Sequence, residues 1–200
     1  MSYVLTVDQI DSRRQGDIVD PTIHQLAGID VSLPFTRTVG DEFQGLLDDP
    51  LSVVTAILIL MRGERWHIGL GIGSVEQPLP ADPRSARGDA FIAARSAVDR
   101  AKADPSHVAV ESARDVDDEA GDAQTVFRLV AALRRHRTDQ GWQAIDLVQR
   151  GLSQQETAAR LGITRQAVSQ RLQTAHWSTE QAAVATLGRL LARADRVSSP

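Results

Sequence analysis

Residues 152 to 172, LSQQETAARLGITRQAVSQRL, leave little choice of local structure. Ser153 and Glu156 have the S-x-x-E spacing of a capping box, in which each side chain satisfies an exposed amide at a helix start. Ala158 is small where two crossing helices must approach closely. Gly162 supplies the left-handed conformation of a tight turn, and Ile163 packs beneath it. Thr164 caps a second helix whose inward positions are Ala167, Val168 and Leu172. The spacing predicts a helix-turn-helix over residues 153 to 174.

The outer face of that second helix carries Arg165, Gln166, Ser169, Gln170 and Gln173, with Thr164 at its start, and no acid. Such side chains bond phosphates or base edges when a helix lies in the major groove. A solvated helical hairpin without a ligand is the plainer alternative. The charge distribution bears on that choice. The net charge is −4, but residues 123 to 200 hold 11 Arg against 5 acids, a balance of +6, leaving 11 bases and 21 acids, or −10, for residues 1 to 122. A basic region of this kind suits phosphate neutralisation, although solvated helix faces can also be basic. The segment resembles the helix-turn-helix of many bacterial regulators and the related region of sigma factors, which implies double-stranded DNA as partner. A single such motif reads only a short half-site, so a homodimer is expected.

Composition narrows the remaining classes. Apolar residues at 42% and charged residues at 24% are ordinary for a globular chain. The absence of cysteine excludes disulfides, thiolate metal sites and cysteine nucleophiles. The longest apolar run, Val53 to Met61, is far short of the ~20 residues that span a bilayer. The opening MSYVLTVDQIDSRR has an acid in its first apolar run and no basic flank, unlike a signal peptide. A cytoplasmic chain is expected. His24, His67, His107, His136 and His176 lie far apart without ligand spacing, so no zinc site is expected.

Upstream, β-rich runs at Tyr3 to Val7, Phe35 to Val39, Phe43 to Leu47, Trp66 to Val75 and His107 to Glu111 alternate with helical stretches at about Asp49 to Arg62 and Ser85 to Ala103. Gly40-Asp41-Glu42 reads as the acidic tip of a hairpin. The expected fold class is α+β: an antiparallel sheet covered by helices over residues 1 to 114, an acidic linker at 115 to 122, and an all-α region at 123 to 200. There, Val126, Leu129, Val130 and Leu133 mark one apolar stripe and Trp142, Ile145 and Val148 another. Ser178 to Gln181 has the chemistry of a last helix start. Val184, Leu187 and Leu191 form that helix's apolar face, a candidate dimer contact, as is the sheet edge.

Four pieces of the N-terminal half, DQIDSR from Asp8, RTVGDEFQG from Arg37, HIGLGIGSV from His67 and GDAFIAAR from Gly88, occur in an order similar to that of class III nucleotide cyclases. The hairpin resembles that of GGDEF diguanylate cyclases. The set as a whole resembles the SatD family, whose GDEFQ signature often accompanies a C-terminal helix-turn-helix. The likeness implies a ferredoxin-like palm sheet, a metal site at Asp8 and Asp41 for Mg²⁺ with a nucleotide, and nucleotide contacts from Arg37, Asp41 and Arg95. The departures from that pattern argue against turnover. Phe91 stands where a cyclase has a ribose-positioning asparagine, Arg37 stands for the base-reading lysine, Val39 breaks the double glycine, and only about 30 residues separate Asp8 from Asp41. Asp41-Glu42 as plain turn chemistry and Gly69, Gly71 and Gly73 as close-packing glycines remain open. The expected function is a DNA-binding transcriptional regulator with a non-catalytic cyclase-like domain for dimerisation or nucleotide sensing. The alternative is a nucleotidyl cyclase or transferase tethered by its helix-turn-helix.

Overall fold

The computed structural model describes residues 2–113 and 118–197 and divides the chain into two compact units. The larger takes in residues 1–128 and 185–200, and the smaller Leu129–Val184.

The larger unit is built on five strands, β1 (Ser2–Gln9), β2 (Leu33–Arg37), β3 (Glu42–Leu47), β4 (Trp66–Gly73) and β5 (Val108–Ser112), in the order β2-β3-β1-β4-β5. The helices are α1 (Ser12–Gln15), α2 (Val19–Leu26), α3 (Pro50–Leu60) and α4 (Asp89–Ala101). The fold is therefore α+β, but the sheet is mixed, not wholly antiparallel as expected. β1 pairs antiparallel with both β3 and β4, whereas β5 pairs parallel with β4. The cause is α4, whose crossover from β4 to β5 returns the chain in the same direction.

Helix α3 starts as its sequence dictates, with Pro50 in the first turn and the Asp49 carboxylate accepting from the Ser52 amide at 2.7 Å. The expected order β-α-β-β-α-β puts one helix between β1 and β2, and the structure has two there. One has four residues, and the buried stripe of the other is only Val19, Thr22 and Leu26, too short to show a periodicity.

The closest packing lies where α4 crosses β4. A Cβ on Gly69 would stand 2.2 Å from the Val98 backbone nitrogen, and one on Gly71 would stand 2.1 Å from the Ala90 carbonyl oxygen. Ala90, Ala94, Ala97 and Ala101 face inward from α4. Small residues on both surfaces let helix and strand backbones nearly touch, and the glycine reading as close-packing positions accounts for HIGLGIG without a ligand.

The expected linker falls partly outside the described residues, at 115–117, and residues 119–122 form the first turn of α5 (Glu119–Arg135). From α5, Gln124 offers its amide oxygen to the Val110 N–H at 3.0 Å and to Arg100 at 2.8 Å, occupying part of the free edge of β5. The last helix, α9, runs Trp177–Val197. Ser178 lies inside it and so is not its cap; the Glu180 N–H instead reaches the carbonyl of His176. Leu187 and Leu191 are fully buried and the Tyr3 hydroxyl donates to the Leu191 carbonyl, all within the larger unit. Those two leucines are thus consumed by the fold and are no free dimer contact, while Val184 is half-buried in the smaller unit. Among the described residues no helix is long and apolar enough to cross a membrane.

The smaller unit contains α6 (Asp139–Gln149), α7 (Gln154–Leu161) and α8 (Arg165–Thr174). Its core is Ala144, Ile145, Ala158, Val168, Leu172 and Ala175, with Trp142, Val148, Ile163 and Trp177 packed around it.

Candidate nucleic-acid interface and acidic sheet edge

The α7–α8 pair is held by the local chemistry read above. The Ser153 hydroxyl accepts from the Glu156 N–H at 3.2 Å, while the Glu156 carboxylate accepts from the Ser153 N–H at 2.8 Å and from its hydroxyl at 2.7 Å. These bonds hold the Glu156 carboxyl below its ordinary range. Gly162 takes φ +66°, and the Ile163 N–H returns to the Ala158 carbonyl at 3.1 Å. Thr164 accepts from the Ala167 N–H at 3.1 Å. Val168 and Leu172 then point inward, which turns the opposite side of α8 to solvent.

Thr164, Arg165, Gln166, Ser169, Gln170 and Gln173 are all exposed. The hydroxyl of Thr164 serves its cap, whereas the other five make no side-chain hydrogen bond or ion pair among the described residues. They are donors and acceptors on a helix anchored from its other side, and their bonding capacity is unspent.

Behind them lies a buried charged cluster that the sequence did not suggest. The side chains of Glu180 and Arg137 are each 1% exposed, and the Glu180 Oε2 stands 2.5 Å from Arg137 Nη2 and 3.3 Å from Arg134 Nε. Both guanidinium groups stack on Trp142, at 5.0 Å for Arg134 and 4.8 Å for Arg137. The run RRHR at 134–137 reads as surface charge. The signal for its burial was Glu180, a lone acid amid bases.

The acidic hairpin stands otherwise. Asp8 is the cross-strand partner of Glu42 on one side and of His67 on the other. Asp41, one residue out of that register, sits in the turn, where its carbonyl accepts from the Gln9 N–H at 3.3 Å and its carboxylate has no partner among the described residues. Glu42, the first residue of β3, is therefore the acid in register with Asp8, and Asp41 lies just outside the ladder.

The basic residues of this edge are already paired. Arg95 forms an ion pair with Glu42 and lies 3.8 Å from Asp99, and Lys102 lies 3.7 Å from Asp8 and 3.1 Å from Asp99. Arg37 clasps Asp17 at 2.7 and 3.0 Å, reaches Asp20 at 3.3 Å, and donates to the Gly40 carbonyl. Its hydrogen bonds hold the Asp17 carboxyl below its ordinary value. Phe91 packs against the cluster of Val4, Leu33, Leu46, Ala90 and Ala94.

No family model, curated protein or solved structure matches the chain.

Two histidines complete the edge. His67 and His107, 40 residues apart, bring their Nδ1 atoms to 3.3 Å. His107 holds φ +57°, fixed by its N–H to the Asp104 carbonyl and by the Ile68 N–H to its own carbonyl. Burial, then the neighbouring His107, pushes the His67 pKa down against the opposing pull of Asp8. No sequence spacing could reveal this pair, because β4 and β5 meet only through the α4 crossover. Among the described residues no group of three His, Asp or Glu is placed to hold a metal ion.

Proposed function

We propose that the chain is a DNA-binding transcriptional regulator that inserts α8 into the major groove of double-stranded DNA. One observation carries this reading. Five polar side chains, Arg165, Gln166, Ser169, Gln170 and Gln173, stand exposed and unpaired on the outer face of a helix whose inner face is anchored in a core. A helix of ~10–12 Å diameter fits the ~12 Å major groove. Arginine reads guanine and glutamine reads adenine by paired hydrogen bonds. The surrounding unit favours phosphate. Leu129–Val184 holds seven Arg and four acids, and with Glu180 buried against Arg134 and Arg137 five Arg and three acids remain. A homodimer extends the half-site to a palindrome.

For the larger unit we propose a cyclase-like, SatD-type domain that assembles or senses without turning over a nucleotide. The strand order β2-β3-β1-β4-β5, with an acidic hairpin beside the carboxylate of β1, supports the palm-like reading. The chemistry argues against catalysis: Phe91 is packing, and Arg37 and Arg95 already serve internal carboxylates. A nucleotide with Mg²⁺ at Asp8 and Asp41 would have to displace Arg95 from Glu42 and Lys102 from Asp8.

The test is selection of duplexes from a random library by the full chain, followed by gel shift at several salt concentrations. An enriched, palindromic sequence is expected. Binding of equal strength to every duplex, or none at low salt, overturns the DNA-reading function. ATP or GTP with Mg²⁺ or Mn²⁺ should yield no cyclic product; repeated turnover lost in Asp41→Asn overturns the non-catalytic reading.

A further inference from the structure

The smaller unit contains a cavity of about 260 Å³ lined by His136, Arg137, Thr138, Gln170, Arg171 and Thr174, together with two alanines. Every one of those six side chains can donate a hydrogen bond, and no carboxylate lines the cavity. Arg171 is half-buried and makes no ion pair or hydrogen bond through its side chain among the described residues.

Arg137 supplies the second, independent observation. Its side chain is 1% exposed; Nε donates to the Ala175 carbonyl at 2.8 Å and Nη2 forms an ion pair with Glu180, but neither Nη1 nor Nη2 has a hydrogen-bond partner among the described residues. Glu180 also faces Arg134, so a single carboxylate oxygen is shared between two cations. A buried guanidinium whose donors are not all used, beside a cavity that also holds the unpaired Arg171, is short of negative charge. The cavity also adjoins the start of α6, where Thr138 caps the helix and the free amides add positive potential.

The geometry points to an oxyanion site in this cavity: a phosphate-class anion held by Arg171, His136 and Thr138 over the buried Arg137. The volume falls below the ~300–1,000 Å³ of pockets for drug-sized ligands, so the fit is to a phosphate group and not to a whole nucleotide. Gln170 belongs both to this lining and to the outer face of α8, which places the site at the flank of the proposed reading helix. The phosphate comes either from the DNA backbone, a source that rests on the DNA-binding reading, or from solution, a source that does not.

The experiment uses the full chain without an affinity tag. Inorganic phosphate and pyrophosphate are titrated into the labelled protein while backbone amide resonances are followed, with and without a selected duplex. In parallel, duplex affinity is measured against salt for wild type, Arg171→Gln and His136→Gln. If the DNA backbone supplies the anion, Arg171→Gln weakens duplex binding about tenfold on every sequence and lowers the slope of log affinity against log salt by about 1. Bound duplex then blocks the phosphate response. If the anion is free, phosphate shifts the amides of residues 136–138 and 170–174, Arg171→Gln abolishes that shift, and duplex does not block it. The proposal is overturned if millimolar phosphate and pyrophosphate leave those amides unmoved and both variants keep wild-type affinity and salt slope. Duplex binding by wild type in that case leaves the DNA reading intact. Phosphate binding by a protein that binds no duplex sinks the DNA reading and leaves the anion site standing.

Discussion

The two candidate surfaces carry similar kinds of residue but differ in what those residues are already doing. On the sheet edge of the larger unit, Arg37, Arg95 and Lys102 each have an internal carboxylate, and Phe91, half-buried, packs against a core cluster. On α8 the polar groups stand free, and their helix is held from behind by Val168, Leu172 and two caps. An internal ion pair must be broken before either partner serves a ligand, whereas an unpaired group on a rigid element has only water to lose. The comparison teaches that site chemistry is judged by unspent bonding capacity and not by residue type.

The largest effect is expected from removing the support behind α8. Ala158 is 5% exposed in the core of the three short helices. Ala158→Asp buries a carboxylate with no partner there and should cost on the order of 3 kcal/mol or more. Loss of helical circular dichroism from this unit and of all duplex binding is expected. A folded, DNA-binding Ala158→Asp protein would show that the core does not position the reading helix.

The corresponding strike at the larger unit is Gly71→Ala. The new methyl would meet the Ala90 carbonyl oxygen at 2.1 Å and the Ala94 nitrogen at 2.2 Å, both backbone atoms that cannot swing away. A loss toward the upper end of the ~1–3 kcal/mol typical of overpacking is expected in urea unfolding. Unchanged stability would mean that α4 does not ride directly on β4, and the glycines would again be free for a ligand reading.

Replacing exposed groups on α8 should do the reverse, sparing stability while costing recognition. Arg165→Ala or Gln166→Ala should each weaken binding to a selected duplex by about 1–3 kcal/mol and relax specificity at one position, with unchanged circular dichroism. Wild-type affinity in the double variant removes these residues from the interface.

How much of this was legible beforehand follows from the range of the interactions. Ser153, Glu156, Gly162 and Thr164 act within three or four residues of themselves, and the helix-turn-helix stood out from their spacing alone. The strands of the sheet were equally local, and their positions along the chain were read closely. What needed three dimensions was not. The parallel pairing of β5, the meeting of His67 with His107, and the convergence of Arg134 and Arg137 on Glu180 join residues about 40 positions apart through crossovers and crossing helices. The offset between Asp8 and Asp41 turned on one residue of register, finer than hydrophobic patterning resolves.

A smaller effect is expected from pH, because a group engaged inside a fold titrates differently from one in water. Burial, and then His107, lower the pKa of His67 from its ordinary 6.5. Above that value His67 is neutral both folded and unfolded, and its contribution to stability is complete. As pH falls below 6.5 the unfolded chain takes up a proton that the folded site resists, so stability declines until the pH passes through the folded pKa. The carboxyls held low in the fold, Asp17, Asp82, Asp104 and Glu156, lose their contributions only in the acid range below their ordinary values of 3.8 to 4.5. The interval from pH 7 to 5 therefore isolates His67 from them. Urea midpoints of wild type should fall across it, and the fall should shrink in His67→Gln and in His107→Gln, which removes the repelling neighbour. Titration of the His67 ring resonances gives the direct check. A ring that titrates at 6.5 or above, with equal midpoint slopes in all three proteins, would show the pair to be open to water and the edge of the sheet less engaged than its geometry indicates.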